Sequence, residues 1–177
     1  EFTQCDADSV GAPAPFADAE ICMMFADAME AAGVARGDYV IRVSDRQVMS
    51  GLLEVAGLAG GEAQATKLAV LRAMDKLDRL GEEGVRQLLG EGRKDESGDY
   101  TEGARLSGDQ ADTVMAFMAA TKGSNADTCA ALREIIGASE AGTKGIVSLE
   151  KMSEVLSALS FDETRVAIDL SIVRGLE

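Results

Sequence analysis

The stretch Glu1-Phe-Thr-Gln-Cys-Asp-Ala-Asp-Ser-Val-Gly11 opens the chain, and its pattern is central to the predicted fold. In a β-strand, the period of two would place Phe2, Gln4, Asp6 and Asp8 on one face and small residues on the other. Aspartate is a poor strand former, so two aspartates this close together need a further reason. One interpretation is the wall of a polar pocket that faces a cationic or hydrogen-bond-donating ligand. The other is an edge strand that is kept soluble by its charge.

Composition excludes several classes of protein and of site. The 177 residues contain no run of 18 apolar residues and no basic segment followed by an apolar one, so we expect neither a membrane span nor a secretory signal. The chain has no histidine, which excludes Cys/His zinc sites and Ser-His-Asp or Cys-His catalysis. Cys5, Cys22 and Cys129 are widely spaced, and we expect reduced thiols. A net charge of −14 argues against a general nucleic-acid-binding surface.

Hydrophobic periodicity and turn residues divide the chain into predominantly helical segments. The predicted elements are a helix over 17–32, a strand over 38–44, a helix over 46–56, helices near 62–80, 82–90, 108–121, 125–136 and 148–160, and a strand over 164–170. A glycine-rich stretch at 57–61 predicts a boundary. We therefore expect a first part over 1–60, an all-helical insertion over 61–159, and a return to the first part over 160–177.

Local signals predict how three of these helices begin and what the first helix buries. Ser44 or Asp45 can cap the second helix, Ser107-Gly-Asp-Gln110 fits a capping box, and Ser124 or Asn125 can cap the helix that follows. The predicted buried stripe of the first helix consists of Ile21, Met24, Phe25, Ala28, Met29 and Ala32.

Basic residues of the predicted insertion form two groups. One group, Lys67, Arg72, Lys76 and Arg79, can share parts of one helix face. This spacing permits either a stripe that follows phosphates or a solvated face paired with Glu62, Asp75 and Asp78, and we favour the second interpretation. The other group, Arg93-Lys94 followed by Asp95-Glu96, is typical of a solvated ion-pair cluster in a surface loop.

Five segments, in order along the chain, resemble one family. They are Glu1–Gly11, Asp18-Ala-Glu-Ile21, Val70-Leu-Arg-Ala-Met-Asp-Lys-Leu-Asp-Arg-Leu80, Gly92-Arg-Lys-Asp-Glu-Ser-Gly-Asp99 and Val173-Arg-Gly-Leu-Glu177. The first is similar to the second strand of motif 2 in histidyl-tRNA synthetases of α-proteobacterial type. The last is similar to the opening of the family signature Arg-Gly-Leu-(Asp/Glu)-Tyr-Tyr. Because Glu1 and Glu177 lie inside these segments, we expect an internal fragment of a catalytic domain.

The resemblance implies an α+β fold: part of the antiparallel sheet of class II synthetases, with flanking helices and a helical insertion, predominantly helical overall. It also implies roles for individual residues. Gln4 corresponds to the glutamine that binds the substrate amino group, and Asp8 to the acid that hydrogen-bonds the imidazole of histidine. Many family members have glutamate at that position. Arg174 corresponds to the arginine at the reacting centre, between the α-phosphate and the histidine carboxylate. Asp6 has no family role and is a possible supporting residue behind this site.

The implied reaction activates histidine with ATP and magnesium and then transfers the histidyl group to tRNA(His). The implied partners are histidine, tRNA(His) and a second subunit, with which the protein would form a homodimer. The implied location is the cytoplasm, and neither a membrane nor DNA is expected as a partner. We expect no bound cofactor and no metal site in the fragment. The insertion corresponds to the family's helical domain over the acceptor end of the tRNA. We expect the 177 residues alone to be inactive, because several family motifs are absent from them.

Two other functions fit parts of the sequence. One is the synthetase-like regulatory subunit of ATP phosphoribosyltransferase, which has the same fold and senses histidine without charging tRNA. The kept Arg174-Gly-Leu-Glu177 and the long insertion argue against it. The other is a stand-alone helical binding module without chemistry, which dispersal of Gln4, Asp8 and Arg174 in the fold would support.

Overall fold

A computed structural model of the chain describes residues 4, 6–60, 63–95, 97–121 and 123–172. The helices are α1 (Phe16–Ala31), α2 (Arg46–Val55), α3 (Gln64–Met74), α4 (Leu77–Leu89), α5 (Gly108–Met118), α6 (Asn125–Ile136) and α7 (Glu140–Ala158). The strands are β1 (Ile41–Val43), β2 (Gly92–Lys94), β3 (Tyr100–Glu102) and β4 (Val166–Ile168). The expected α+β, predominantly helical fold is confirmed.

The two strand pairs run in opposite senses. β1 pairs with β4 in parallel, with Ile41 opposite Val166, whereas β2 and β3 form an antiparallel hairpin. The described residues thus contain no antiparallel pairing of β1, although the resemblance implied it. The parallel pair arises because the chain returns to β1 only after the long helical segment, and such a return fits a crossover connection.

The predicted opening strand is wrong for Gln4 and residues 6–10, which have no regular secondary structure and are exposed. A strand requires a hydrogen-bonding neighbour, and β1 pairs with β4 instead. Residues 1–3 and 5 lie outside the described part of the chain.

Helix starts follow the predicted caps. The Asp45 carboxylate accepts a hydrogen bond from the Gln47 amide at 2.7 Å, and Ser107 and Gln110 form both bonds of a capping box. The Ser124 hydroxyl accepts from the Asp127 amide at 3.0 Å. Gly33 and Gly57, at φ +92° and +72°, follow the ends of α1 and α2 as predicted. These ends were predictable because every group involved lies within a few residues.

The inner face of α1 differs from its prediction. The buried residues are Ala19, Cys22 and Ala26, whereas Met24 and Phe25 are 46% and 56% exposed. This face packs toward α7 and the β1–β4 pair, where the close approach leaves room only for small side chains. Ile21, Met24 and Phe25 face away from the rest of the described chain, whereas Met29 packs against the core, so the predicted stripe is wrong for most of its large side chains.

Helix α7 begins at Glu140, eight residues before its predicted start near 148. Ser139 caps it by accepting a hydrogen bond from the Gly142 amide at 2.9 Å and donates its own hydroxyl to Glu54 of α2. A Cβ on Gly145 would lie 2.6 Å from the Val48 amide nitrogen. Gly142 and Gly145, in the part of α7 that precedes residue 148, let α2 approach α7 closely.

The core joins both sides of the predicted boundary at 57–61. The packing of α2 against α7 involves the fully buried side chains of Val48, Leu52 and Ile146. The β4 side chains Val166 and Ile168 are buried as predicted. The division into a core part and an insertion stays a prediction, with these two helices in contact across it.

Candidate substrate site and neighbouring surfaces

The segment that carries the predicted histidine-binding residues lies open on the surface. Gln4, Asp6 and Asp8 are exposed, and within the described chain no hydrogen bond or ion pair engages their side chains. Among the described residues of this segment, Ser9 donates its hydroxyl to the Glu20 carboxylate of α1 at 3.3 Å. The segment ends at Pro13, whose carbonyl accepts a hydrogen bond from the Phe16 amide. Within the described part of the chain, these three side chains are thus exposed and have no partner.

Arg174 lies outside the described residues, but the chain that leads to it is well fixed. After β4, the Asp169 carboxylate accepts hydrogen bonds from the Ser171 amide and hydroxyl at 2.9 and 2.7 Å. Its other oxygen lies 2.9 Å from the Arg42 guanidinium of β1. Leu170 is fully buried. The structure thus fixes the approach to Arg174, while it does not describe how Arg174 and Gln4 or Asp8 are placed relative to one another.

A side-chain amide takes the place of a further strand beside β4. Asn125 is 4% exposed, and its amide donates to the Val166 carbonyl at 3.2 Å and accepts from the Ile168 amide at 2.8 Å. Both groups belong to β4 residues whose backbone N–H and C=O point away from β1. This arrangement closes the edge of the strand pair, and it was missed because a residue 43 positions away supplies it.

A buried arginine joins α1 to the start of β4. Arg165 is 4% exposed, and its guanidinium lies 2.8 Å from Asp27, 3.0 Å from Glu30 and 3.7 Å from the ring centre of Phe161. The Tyr39 hydroxyl donates to Glu30 at 2.6 Å. These residues form the Arg165 cluster, which holds α1 against the strand that leads to the Arg174 segment.

Charge pairing lowers the pKa of Glu30 within this cluster. Hydrogen bonds from Arg36 and Tyr39 are the main causes, and the pKa falls to about 2. The Arg36 guanidinium contacts both Glu30 oxygens at 3.1 Å. Glu30 therefore stays ionised at any physiological pH and acts as a structural charge.

The described cysteines are not nucleophile candidates. Cys22 and Cys129 are buried free thiols, and burial raises the pKa of both, that of Cys129 to about 11. Cys5 lies outside the described residues. In the described ranges no set of three or more His, Cys, Asp or Glu residues could hold a metal ion. No described helix is long and apolar enough to cross a membrane.

The two basic groups lie in different surroundings, and the pairing of the first with Glu62, Asp75 and Asp78 stays a prediction because residue 62 lies outside the described chain. Lys67 donates to the Ala59 carbonyl at 3.1 Å, while Arg72 and Lys76 line a cleft beside the β2–β3 hairpin. Arg93 and Lys94 lie in β2, and neither forms an ion pair with any described residue. The expected ion-pair cluster is therefore absent from the described part of the loop. Asp95 instead accepts hydrogen bonds from Ser97 and Asp99 in the hairpin turn, because the turn presents amide donors to it.

Comparison with known proteins gives one consistent family. A family model described as Histidyl-tRNA synthetase matches residues 1–177. A histidine–tRNA ligase of Jannaschia sp. (strain CCS1) is 54% identical over 99% of the chain, and one of Rhizobium meliloti (strain 1021) is 51% identical over 100% of it. The chain spans about 35% of the length of each.

A solved structure supports the fold. The crystal structure of histidyl-tRNA synthetase from Nostoc sp. PCC 7120 superposes with a TM-score of 0.70, at 23% identity, over 90% of this chain and 33% of that one. At this identity the likeness concerns the fold alone.

Proposed function

Because the chain belongs to the histidyl-tRNA synthetase family, we propose that its parent protein activates histidine with ATP and transfers it to tRNA(His). The observation that carries the proposal is the family match over all 177 residues, together with 54% identity to a histidine–tRNA ligase. The chain spans about 35% of that relative, so the activity is proposed for the longer protein.

The proposed reaction has two steps. The histidine carboxylate attacks the α-phosphorus of ATP, and pyrophosphate leaves. A hydroxyl of the terminal adenosine of the tRNA then attacks the acyl carbon, and AMP leaves. Charge stabilisation and positioning account for most of the acceleration in such reactions. The proposed role of Arg174 is to bind the α-phosphate and the histidine carboxylate, because a guanidinium can contact both with parallel N–H donors.

Gln4 and Asp8 are proposed to bind histidine. The Asp8 carboxylate would accept a hydrogen bond from the imidazole N–H, and the Gln4 amide would accept one from the ammonium group. Their open position and lack of described partners support this proposal. Asp6 is proposed to support these two residues.

The remaining proposals follow the family. They are ATP and magnesium as substrate and ion, tRNA(His) as acceptor, a homodimer and a cytoplasmic location. We also propose that the 177 residues alone are inactive, because the segment that holds Gln4 and Asp8 packs against little of the described chain. No observation favours the regulatory subunit.

The test is calorimetric titration of histidine into the full-length parent protein, with ATP–pyrophosphate exchange measured in parallel. We expect Asp8→Ala to weaken histidine binding about tenfold or more, since a hydrogen bond to a charged group contributes roughly 1.5–3 kcal/mol. Asp38→Ala removes an exposed carboxylate outside the proposed site and serves as the control.

Two outcomes would contradict parts of the proposal. Unchanged binding by Asp8→Ala would remove Asp8 from the histidine site. Histidine binding by the parent without any pyrophosphate exchange would exclude the ligase and favour the regulatory subunit.

A further inference from the structure

Three consecutive residues fix the direction in which the chain leaves β4. The Asp169 amide donates a hydrogen bond to the Val43 carbonyl of β1 at 2.9 Å, which extends the parallel pairing by one residue beyond β4. Leu170 is fully buried, and its amide donates to the Thr121 hydroxyl at 3.4 Å. Ser171 donates its amide and its hydroxyl to Asp169 at 2.9 and 2.7 Å. The exit of the chain from β4 is therefore defined residue by residue.

The two oxygens of the Asp169 carboxylate bind different groups. Its Oδ1 accepts both hydrogen bonds from Ser171, whereas its Oδ2 lies 2.9 Å from the Arg42 Nη1 of β1. Arg42 lies opposite Ala167 in the strand register. Because side chains alternate along a strand, Ala167 and Asp169 share one face. Arg42 thus reaches along that face to the residue at which β4 ends.

Packing on one side of this exit is incomplete. A cleft of about 190 Å³ separates Ser171 and Ile172, which are half-buried, from the junction of α3 and α4. Arg42 also lines this cleft, and the wall opposite consists of Met74, Asp75, Leu77 and Asp78. Because side chains of the described chain do not fill this space, the polar bonds of Asp169 determine the direction of the chain more than packing does.

Arg174 follows Ser171 by three residues in the sequence. Each residue has only two soft backbone dihedrals, so a stretch this short can compensate little for a change of direction at Asp169. Groups that take part in a reaction must be held within about 0.5 Å of their productive position. A misplacement of about 1 Å can lower the rate roughly a hundredfold. A small change at Asp169 is therefore expected to have a large effect on any reaction that needs Arg174.

We propose that Arg42 and Asp169 are positioning residues for the activation of histidine. Their ion pair sets the direction in which the chain runs from β4 toward Arg174, so that the Arg174 guanidinium is presented to the α-phosphate and the histidine carboxylate. Neither Arg42 nor Asp169 is assigned a contact with a substrate. The inference rests on the proposed function, because Arg174 has this role only in the proposed reaction.

The exposure of the ion pair separates an effect on rate from an effect on stability. The Arg42 side chain is 54% exposed, and ion pairs in contact with water contribute little to the free energy of unfolding. Loss of the pair should therefore leave the fold intact while it lowers the rate. The Arg133–Glu150 pair is a matched control, because its side chains are 47% and 35% exposed and it joins α6 to α7.

The test measures single-turnover formation of histidyl-adenylate by the full-length parent protein at saturating ATP and histidine. We expect Arg42→Met to lower the rate about tenfold to a hundredfold, while the thermal unfolding midpoint stays within about 2 °C of wild type. Arg42→Lys keeps the charge without the planar guanidinium and should recover part of the rate. Arg133→Met should leave the rate near that of wild type.

A double-mutant cycle with Arg174→Ala distinguishes positioning from a structural role. If Arg42 acts through Arg174, Arg42→Met should lower the rate much less once Arg174 has been replaced. Single turnovers at high enzyme concentration make the slow rates of the Arg174→Ala variants measurable. Asp169→Asn keeps the Oδ1 acceptor for Ser171 but removes the charge that binds Arg42, and it should show the same dependence on Arg174.

Two results would overturn the inference. One is a wild-type rate in both Arg42→Met and Asp169→Asn. The other is an equal fold-loss for Arg42→Met with and without Arg174, because the ion pair would then act on the fold as a whole. Both results require that the wild-type parent forms histidyl-adenylate. A wild-type parent that forms none would instead disprove the proposed function, and the positioning role would fall with it.

Discussion

The α2–α7 interface and the outer face of α1 are opposite cases of packing in one chain. At the interface, a Cβ on Gly51 would lie 2.8 Å from the Gly142 amide nitrogen, so the two helices approach as closely as their backbones allow. On α1, Phe16 and Phe25 are 57% and 56% exposed. At the α2–α7 interface, the described residues alone fill the space between the helices. The outer face of α1 presents apolar area that they do not cover, in a chain that spans about 35% of its relatives.

Polar groups show the same contrast. Arg165 has carboxylates, a hydroxyl and an aromatic ring around it, all from described residues. Gln4, Asp6 and Asp8 have no described partner. The residues that hold the helices together are thus satisfied within the described chain, whereas the residues proposed to bind substrate have no partner in it.

The largest loss of stability is expected at the α2–α7 interface. Gly51→Ala would bring a methyl group against the Gly142 backbone, which cannot rotate away as a side chain could. Overpacking of this kind costs about 1–3 kcal/mol, and the better helix propensity of alanine offsets up to ~1 kcal/mol of that. We expect a net loss of about 2 kcal/mol in the free energy of unfolding, measured by urea denaturation.

Gly108→Ala is the control for this substitution. Gly108 is the first residue of α5, and a Cβ there would meet nothing within 4 Å. We expect its unfolding free energy to stay within about 0.5 kcal/mol of wild type. Equal effects of the two alanines would show that α2 and α7 are not in close contact.

A smaller loss is expected in the Arg165 cluster. Arg165→Met keeps much of the side-chain volume but leaves Asp27 and Glu30 without the guanidinium. We expect the free energy of unfolding, measured with urea, to fall by about 1.5 kcal/mol. This is less than the loss expected for a fully buried ion pair, because both acids are partly exposed. Arg133→Met, which breaks the more exposed contact to Glu150, should change stability less.

The same cluster predicts a pH dependence. The pKa of Glu30 falls from 4.5 to about 2 in the folded chain, so unfolding binds a proton between these values. Its contribution to stability is complete above about pH 4.5 and is lost as the pH falls toward 2. Urea midpoints measured from pH 6 to pH 3 should therefore drop less steeply in Glu30→Gln. Parallel curves for wild type and Glu30→Gln would contradict the assignment.

Features set by near neighbours in the chain could be predicted. Asp45, Ser107 and Ser124 cap helices through groups two or three residues away, and alternation places Val166 and Ile168 on one buried face. A short spacing carries all the information that these contacts require.

Features that depend on residues far apart in the chain could not be predicted from the sequence. Arg165 donates to Asp27, which lies 138 residues earlier in the chain. The start of α7 depends on how closely α2 approaches this helix. Asn125 fits an ordinary helix cap, yet its amide bonds a strand edge. For the candidate site, Gln4, Asp8 and Arg174 were identified by resemblance to a family, because no spacing alone distinguishes a substrate pocket from a charged edge.

The smallest effect is expected on the outer face of α1. Phe25→Ser replaces a side chain that is already 56% exposed, so we expect a change within about 0.5 kcal/mol in urea unfolding of the 177-residue chain. Ala26→Leu, one residue along on the buried face, should cost about 1–3 kcal/mol because the inner side of α1 has no room for a larger group. If Phe25→Ser instead destabilised the chain as much as Ala26→Leu, residue 25 would be packed in solution, and the contrast between the closed interface and the open face would fail.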